Sequence, residues 1–293
     1  MKKICKRLVT VCLAFAMLVT MITPVTTEAA TKTEKLTLYV GEEIYATNFY
    51  TVKSASSSKK SVATVAKDKK NDSHANITAK KPGTTTITVK TSRGTMKYAI
   101  TVKKLDFTVS FKDMGHGNIL MIVKNKTKQT FDYVSVTYAL RNNLGEVVEK
   151  DTVSVSEVVA GRTAYKELSY NSYTYTVDAA QCSGKVAAAD RNVNYTYKNV
   201  SSKIKVKVTE KDEGDKIELT LKSTSKLKKE SATIMHYILV YDANNNVIDM
   251  MTVYDYLKAG AVTTDSRNVY KTLYGPYDHY KVITVAYCKT YNG

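Results

Sequence analysis

The chain has 293 residues, 43% of them hydrophobic, and carries 44 Lys and Arg against 27 Asp and Glu, a formal net charge of +17. That apolar share lets each of two or three domains bury a core, so disorder is not the default reading. Four cysteines, two of them within the first thirty residues, exclude a disulfide scaffold, so stability must come from packing.

Residues 1–30 read as a secretory signal peptide. Lys2, Lys3, Lys6 and Arg7 form a basic start, Leu8 to Ile22 is an apolar run, and the small residues Ala29 and Ala30 offer a cleavage point before Thr31. The run is short of the roughly twenty residues a membrane helix needs, so no membrane span is expected after processing. The C-terminal CKTYNG lacks an LPxTG-like sorting motif and an apolar tail. The expected location is secreted, extracellular or non-covalently associated with a cell wall.

From residue 31 the chain reads as strands almost throughout. Leu36, Leu38 and Val40 alternate with polar neighbours, Thr84 to Val89 is a β-branched run, and Pro82-Gly83 marks a turn. Segment 31–104 holds 15 basic and 5 acidic residues. Lys59, Lys60, Lys67, Lys69, Lys70, Lys80 and Lys81 fall close together in sequence, at expected surface turns. They are the candidate polyanion-binding residues, with an anionic cell-wall polymer as the expected partner and binding sensitive to salt. Lysine predominates over arginine, and no aromatic residue interrupts Lys53 to Lys97, so sequence-specific nucleic acid is not an expected partner.

The remainder repeats. Phe107, Val109 and Phe111 in segment 105–199 match Ile204, Val206 and Val208 in segment 200–293, and ILMIVKN (119–125) matches IELTLKS (217–223). YALRNNLGEVV (138–148) is echoed by YILVYDANNNVI (237–248), and Ala160-Gly161 by Ala259-Gly260. Each copy ends on tyrosines and one cysteine, Cys182 or Cys288, expected as buried free thiols. Tyr170, Tyr173 and Tyr175 in one copy, with Tyr277 and Tyr280 in the other, are candidates for stacking on the sugar rings of a surface glycan. Only Ala187 to Asp190 tolerates a helix.

LTLYVGEE (36–43), SVATVA (61–66), ITAKKPGTTTITV (77–89) and YAITV (98–102) resemble, in order and spacing, a bacterial Ig-like domain of group 2 of the invasin and intimin kind. That family carries a tryptophan before the SVATV strand, where this chain offers Tyr50 or Val52. The two repeats resemble FxLYD-type Ig-like domains, the second through Ile238, Val240, Tyr241 and Asp242. Together the resemblances imply an all-β architecture of tandem Ig-like β-sandwiches, here expected to be independent and strung in series, and neither implies a catalytic motif.

The residues agree in naming no catalyst. His74, His116, His236 and His279 lie at no metal-ligand or triad spacing, and no H-E-x-x-H, G-x-S-x-G, P-loop or dinucleotide fingerprint occurs. Asp212, Glu213 and Asp215 read as a solvated hairpin turn. No catalytic residue, metal or cofactor is expected. The sequence therefore points to a non-enzymatic binding or adhesion protein of the cell surface, with a glycan-binding accessory protein or a purely structural spacer as alternatives.

Overall fold

The computed structural model describes residues 32–47 and 50–291, so the expected signal peptide lies outside the described residues. Those residues are all-β apart from one 3-10 turn at Ser201–Lys203. They form six sheets that face each other in pairs.

In the first pair, the sheet β1 (Lys32–Tyr39), β7 (Gly94–Lys103), β6 (Gly83–Thr91) and β3 (Val52–Ser57) faces β2 (Glu43–Thr47), β5 (His74–Ala79) and β4 (Ala63–Lys67). Alternate residues of both sheets meet in one core that includes Leu38, Ile77, Ile87, Val89 and Ile100, as period-two patterning requires. β1 runs parallel to β7, and the other pairings here are antiparallel. Of the two residues offered in place of the tryptophan, Val52 is wholly buried and Tyr50 lies on the surface.

The second pair sets β8 (Phe107–Gly115), β9 (Asn118–Asn125) and β12 (Thr163–Ser169) against β11 (Val147–Val158), β10 (Phe131–Arg141) and β13 (Ser183–Asp190). The helix-tolerant Ala187–Asp190 stretch is strand, because cross-strand pairing with β10 overrides a weak local preference. In the third pair, β15 (Ile204–Asp212), β16 (Lys216–Ser225) and β19 (Val262–Tyr270) face a sheet ordered β14 (Tyr195–Asn199), β20 (His279–Tyr291), β17 (Ala232–Tyr241), β18 (Val247–Leu257). β14 falls inside segment 105–199 by sequence, yet it hydrogen-bonds to β20.

Both repeats use one pairing order, with β8, β9 and β12 equivalent to β15, β16 and β19, and β10, β11 and β13 to β17, β18 and β20. The quoted echo is a shared hairpin. The Asn142 and Asp242 side chains each accept from two backbone N–H groups of their turn, and Gly145 and Asn245 both adopt positive φ. The ladders also correct the sequence alignment. Phe111 pairs with Met121 and Val208 with Leu221, so Met121 is equivalent to Leu221, two residues away from the match by eye. A slip of two keeps every side chain on its own face, which is why periodicity did not expose it.

The second and third sandwiches are not independent. Leu120 and Ile122 point away from their own core, and Met235, Tyr237 and Leu239 do the same on β17. These outward faces pack on each other, with Leu120 wholly buried, Leu239 3% exposed, and the rings of Tyr165 and Tyr237 5.0 Å apart. The four sheets thus stack as successive layers. Each fully buried large side chain contributes about 1.5–3 kcal/mol, so this is a strong contact.

Candidate functional site

The seven predicted lysines are all exposed, but they form two groups. Lys59, Lys60, Lys80 and Lys81 gather at one end of the first sandwich, where the N–H groups of Lys80 and Lys81 both donate to the Val62 carbonyl and Val62 donates to Lys59. Lys67, Lys69 and Lys70 lie at the other end of the β4–β5 hairpin, about 13 Å away along the strand. Lys67 is paired to Asp72 at 2.8 Å.

The first of these ends borders a groove of about 840 Å³. One wall comes from the first sandwich through Val40, Pro82, Lys104 and Leu105, and Lys80-Lys81 immediately precede Pro82. The floor is the outer face of β10 with its neighbours β11 and β13. There Ser135, Thr137 and Ala139 occupy the positions that Met235, Tyr237 and Leu239 occupy on β17. Small side chains therefore leave a hollow on one repeat where large ones fill the equivalent surface on the other. Lys150 and Ser183 flank Ala139 in one row across the sheet, and Thr152 and Lys185 flank Thr137 in the next.

Four cations line the groove, Lys104, Arg141, Lys150 and Lys185, and no lining residue is acidic. None of the three lysines is ion-paired among the described residues. Arg141 donates to the Gly145 carbonyl, which fixes it at the groove's end. Sequence reasoning missed the three lysines because they stand 46 and 35 positions apart, Lys150 and Lys185 in otherwise ordinary strands.

A buried clamp holds the two walls in place. Arg191 donates from Nε to Glu42 Oε1 at 2.9 Å and from Nη2 to the Thr37 carbonyl at 2.7 Å, and the Tyr39 N–H also donates to Glu42. The two charged side chains are 11% and 2% exposed. Burial pushes the Glu42 carboxyl above its ordinary range, against the pull of Arg191. Beside the clamp, Tyr39 meets Phe131 edge-on at 5.2 Å.

The predicted tyrosines do not form one platform. Tyr170 and Tyr175 stack on each other at 5.8 Å and rest on the core, and the Tyr175 hydroxyl donates to Glu149. Tyr277 and Tyr280 pack on the third sandwich, where the Tyr280 hydroxyl donates to Glu210. Tyr173 alone of the five is fully exposed.

One arrangement has the look of catalytic chemistry. Ser223 Oγ lies 3.0 Å from His236 Nε2, and Thr284 Oγ1 lies 2.8 Å from Nδ1. Both Ser223 and His236 are 1% exposed. They stand where Val123 and Val136 stand in the other repeat, so the pair is a satisfied polar substitution inside a core that substrate does not reach. Burial pushes the His236 pKa down. Asp212 and Glu213 are bonded to Lys271, Lys211 and Lys216 and are held below the ordinary carboxylate range by those contacts. No group of three metal-ligating side chains occurs among the described residues. Cys182 is half-buried and Cys288 buried, both unbridged, and burial pushes the Cys288 thiol up to about 11.

No protein-family model matches the chain. No curated protein matches it in sequence. Among solved structures, the FN1–FN3 domains of chicken CNTN1 align at 9% identity with a TM-score of 0.17, covering 84% of this chain and 94% of that one. The infectious bursal disease virus Gx strain aligns at 11% identity and 0.18, covering 72% and 61%. The C-terminal globular domain of oligosaccharyltransferase from Pyrococcus abyssi aligns at 10% and 0.15, covering 64% and 48%. Likenesses this distant carry no argument about activity.

Proposed function

We propose that the protein is an exported, non-enzymatic binding protein that holds an anionic polymer of the cell surface in the groove between its first and second sandwiches. The observation that carries this reading is the hollow with four lining cations and no lining acid. Fixed cations on low-dielectric walls concentrate field on a passing anion, and lysine heads accept an irregular chain without demanding one sequence of groups. Lys80 and Lys81 extend the basic surface beyond Pro82, within segment 31–104, which carries 15 basic and 5 acidic residues. Kinship with group 2 bacterial Ig-like domains and with FxLYD-type domains belongs to this proposal, as do export by residues 1–30 and non-covalent retention on the wall. No helix among the described residues is long and apolar enough to cross a membrane. A spacer is the weaker reading, because stacking the second sandwich against the third shortens the reach a spacer needs.

The test is cosedimentation of the protein with isolated Gram-positive cell walls across a salt series, for the wild type and for Lys150→Glu/Lys185→Glu. Expected are retention of the wild type at low salt, release as salt rises, and loss of retention in the variant. Retention that ignores both salt and the two charge reversals refutes the groove.

A further inference from the structure

The joint that makes the groove also carries a second cavity. Lys103 is the last residue of β7 and Lys104 the first beyond it, and the two enter different cavities. Lys104 lines the groove, whereas Lys103 lines a crevice of about 350 Å³. Its neighbours there are Lys35 from β1, Lys128 and Gln129 from the β9–β10 turn, and Arg191, with no lining acid.

The lining is positively charged beyond what its surroundings balance. Lys35, Lys103 and Lys128 are exposed and form no ion pair among the described residues. Arg191 is neutralised by Glu42 and has two of its nitrogens already bonded. The surplus is therefore the three ammonium groups, brought to one concavity from three different stretches of chain. Three unpaired like charges lining one concavity give it a positive field that favours an anion within it. Each ammonium is a compact head with three N–H donors, suited to a small group presenting oxygens in several directions.

We propose that this crevice binds a compact tetrahedral oxyanion, a phosphate or sulfate group. It shares no lysine with the groove, so the two sites stand or fall separately.

The test uses the full processed chain and inorganic phosphate as probe, followed by isothermal titration calorimetry at low ionic strength. Saturable binding is expected, weakened about tenfold or more, about 1.4 kcal/mol, in Lys35→Gln/Lys128→Gln, since two charge-assisted hydrogen bonds are lost. Lys103→Gln is expected to weaken it in the same direction, and Lys222→Gln, at an exposed lysine of the third sandwich, to leave it unchanged. Competition by glycerol phosphate at equal strength assigns the site to a group carried on a larger molecule, and competition by sulfate and free phosphate alone assigns it to the free ion. Unchanged melting temperatures establish that the variants are folded. Absence of saturable phosphate binding, or binding that survives Lys35→Gln/Lys128→Gln intact, overturns the proposal.

Discussion

Leu239→Ala measures whether the second and third sandwiches act as one body. Leu239 lies on the face of β17 turned away from its own core, 3% exposed against Met114 and Leu120 of the neighbouring sandwich. On an independent sandwich this position would be surface, and truncation would change stability by less than about 0.5 kcal/mol. Inside the stack it removes a buried side chain and leaves a cavity, a loss of about 2–5 kcal/mol. At about 2–4 °C per kcal/mol for a unit of this size, a 3 kcal/mol loss lowers Tm by roughly 6–12 °C. Differential scanning calorimetry of the full chain reads this directly, with Leu144→Ala, at a position 77% exposed, as the unaffected control. A Tm for Leu239→Ala indistinguishable from that control refutes the stacked arrangement.

Three further outcomes are expected. Arg191→Ala strands the buried Glu42 charge and is expected to destabilise the first joint by about 3–5 kcal/mol, whereas the double variant Arg191→Met/Glu42→Gln recovers part of the loss in urea unfolding. His236 has a folded pKa below its ordinary 6.5, so as pH falls through 6.5 the unfolded chain takes up a proton that the folded chain does not. Stability contributed above pH 6.5 is therefore lost on acidification, and urea midpoints at pH 7.5 and 5.5 should differ more for the wild type than for His236→Gln. Asp255 and Asp265 pull the other way and limit the effect. Gly145→Ala, at φ 78°, is expected to lose about 1 kcal/mol by thermal melting, while Asn245→Gly at the equivalent turn is neutral or stabilising.

Much of the fold is legible in the sequence because period-two alternation reports a half-buried strand wherever it occurs, as in Phe107, Val109 and Phe111. The stacking was legible too, in a signal that repetition obscured. ILMIV at 119–123 and the run IMHYILV at 234–240 do not alternate, and continuous apolar strands are those covered on both faces. Read as an echo between copies, they hide their shared cause, which is that each copy presents a second apolar face. The basic site was legible only in part. Charge counting finds the excess in segment 31–104, but Lys150 and Lys185 lie in segment 105–199, where charge is nearly balanced, and only strand pairing brings them beside Ala139 and Thr137. β14 escaped for a similar reason, since YTYKN gives no sign that its partner lies at the far end of the chain.

The stacked sandwiches join unlike faces, β9 and β12 of one copy against β17 and β18 of the other. A contact of that kind does not close by symmetry, and if its two surfaces recurred at the ends, further molecules would add without limit. Here the recurrence is broken at both ends. Leu120 and Ile122 become Thr220 and Lys222 on the outermost sheet of one end, and Tyr237 and Leu239 become Thr137 and Ala139 at the other. Neither outer sheet of the stacked pair repeats the surface that its counterpart packs against, and the small residues that hollow out the groove are part of that mismatch.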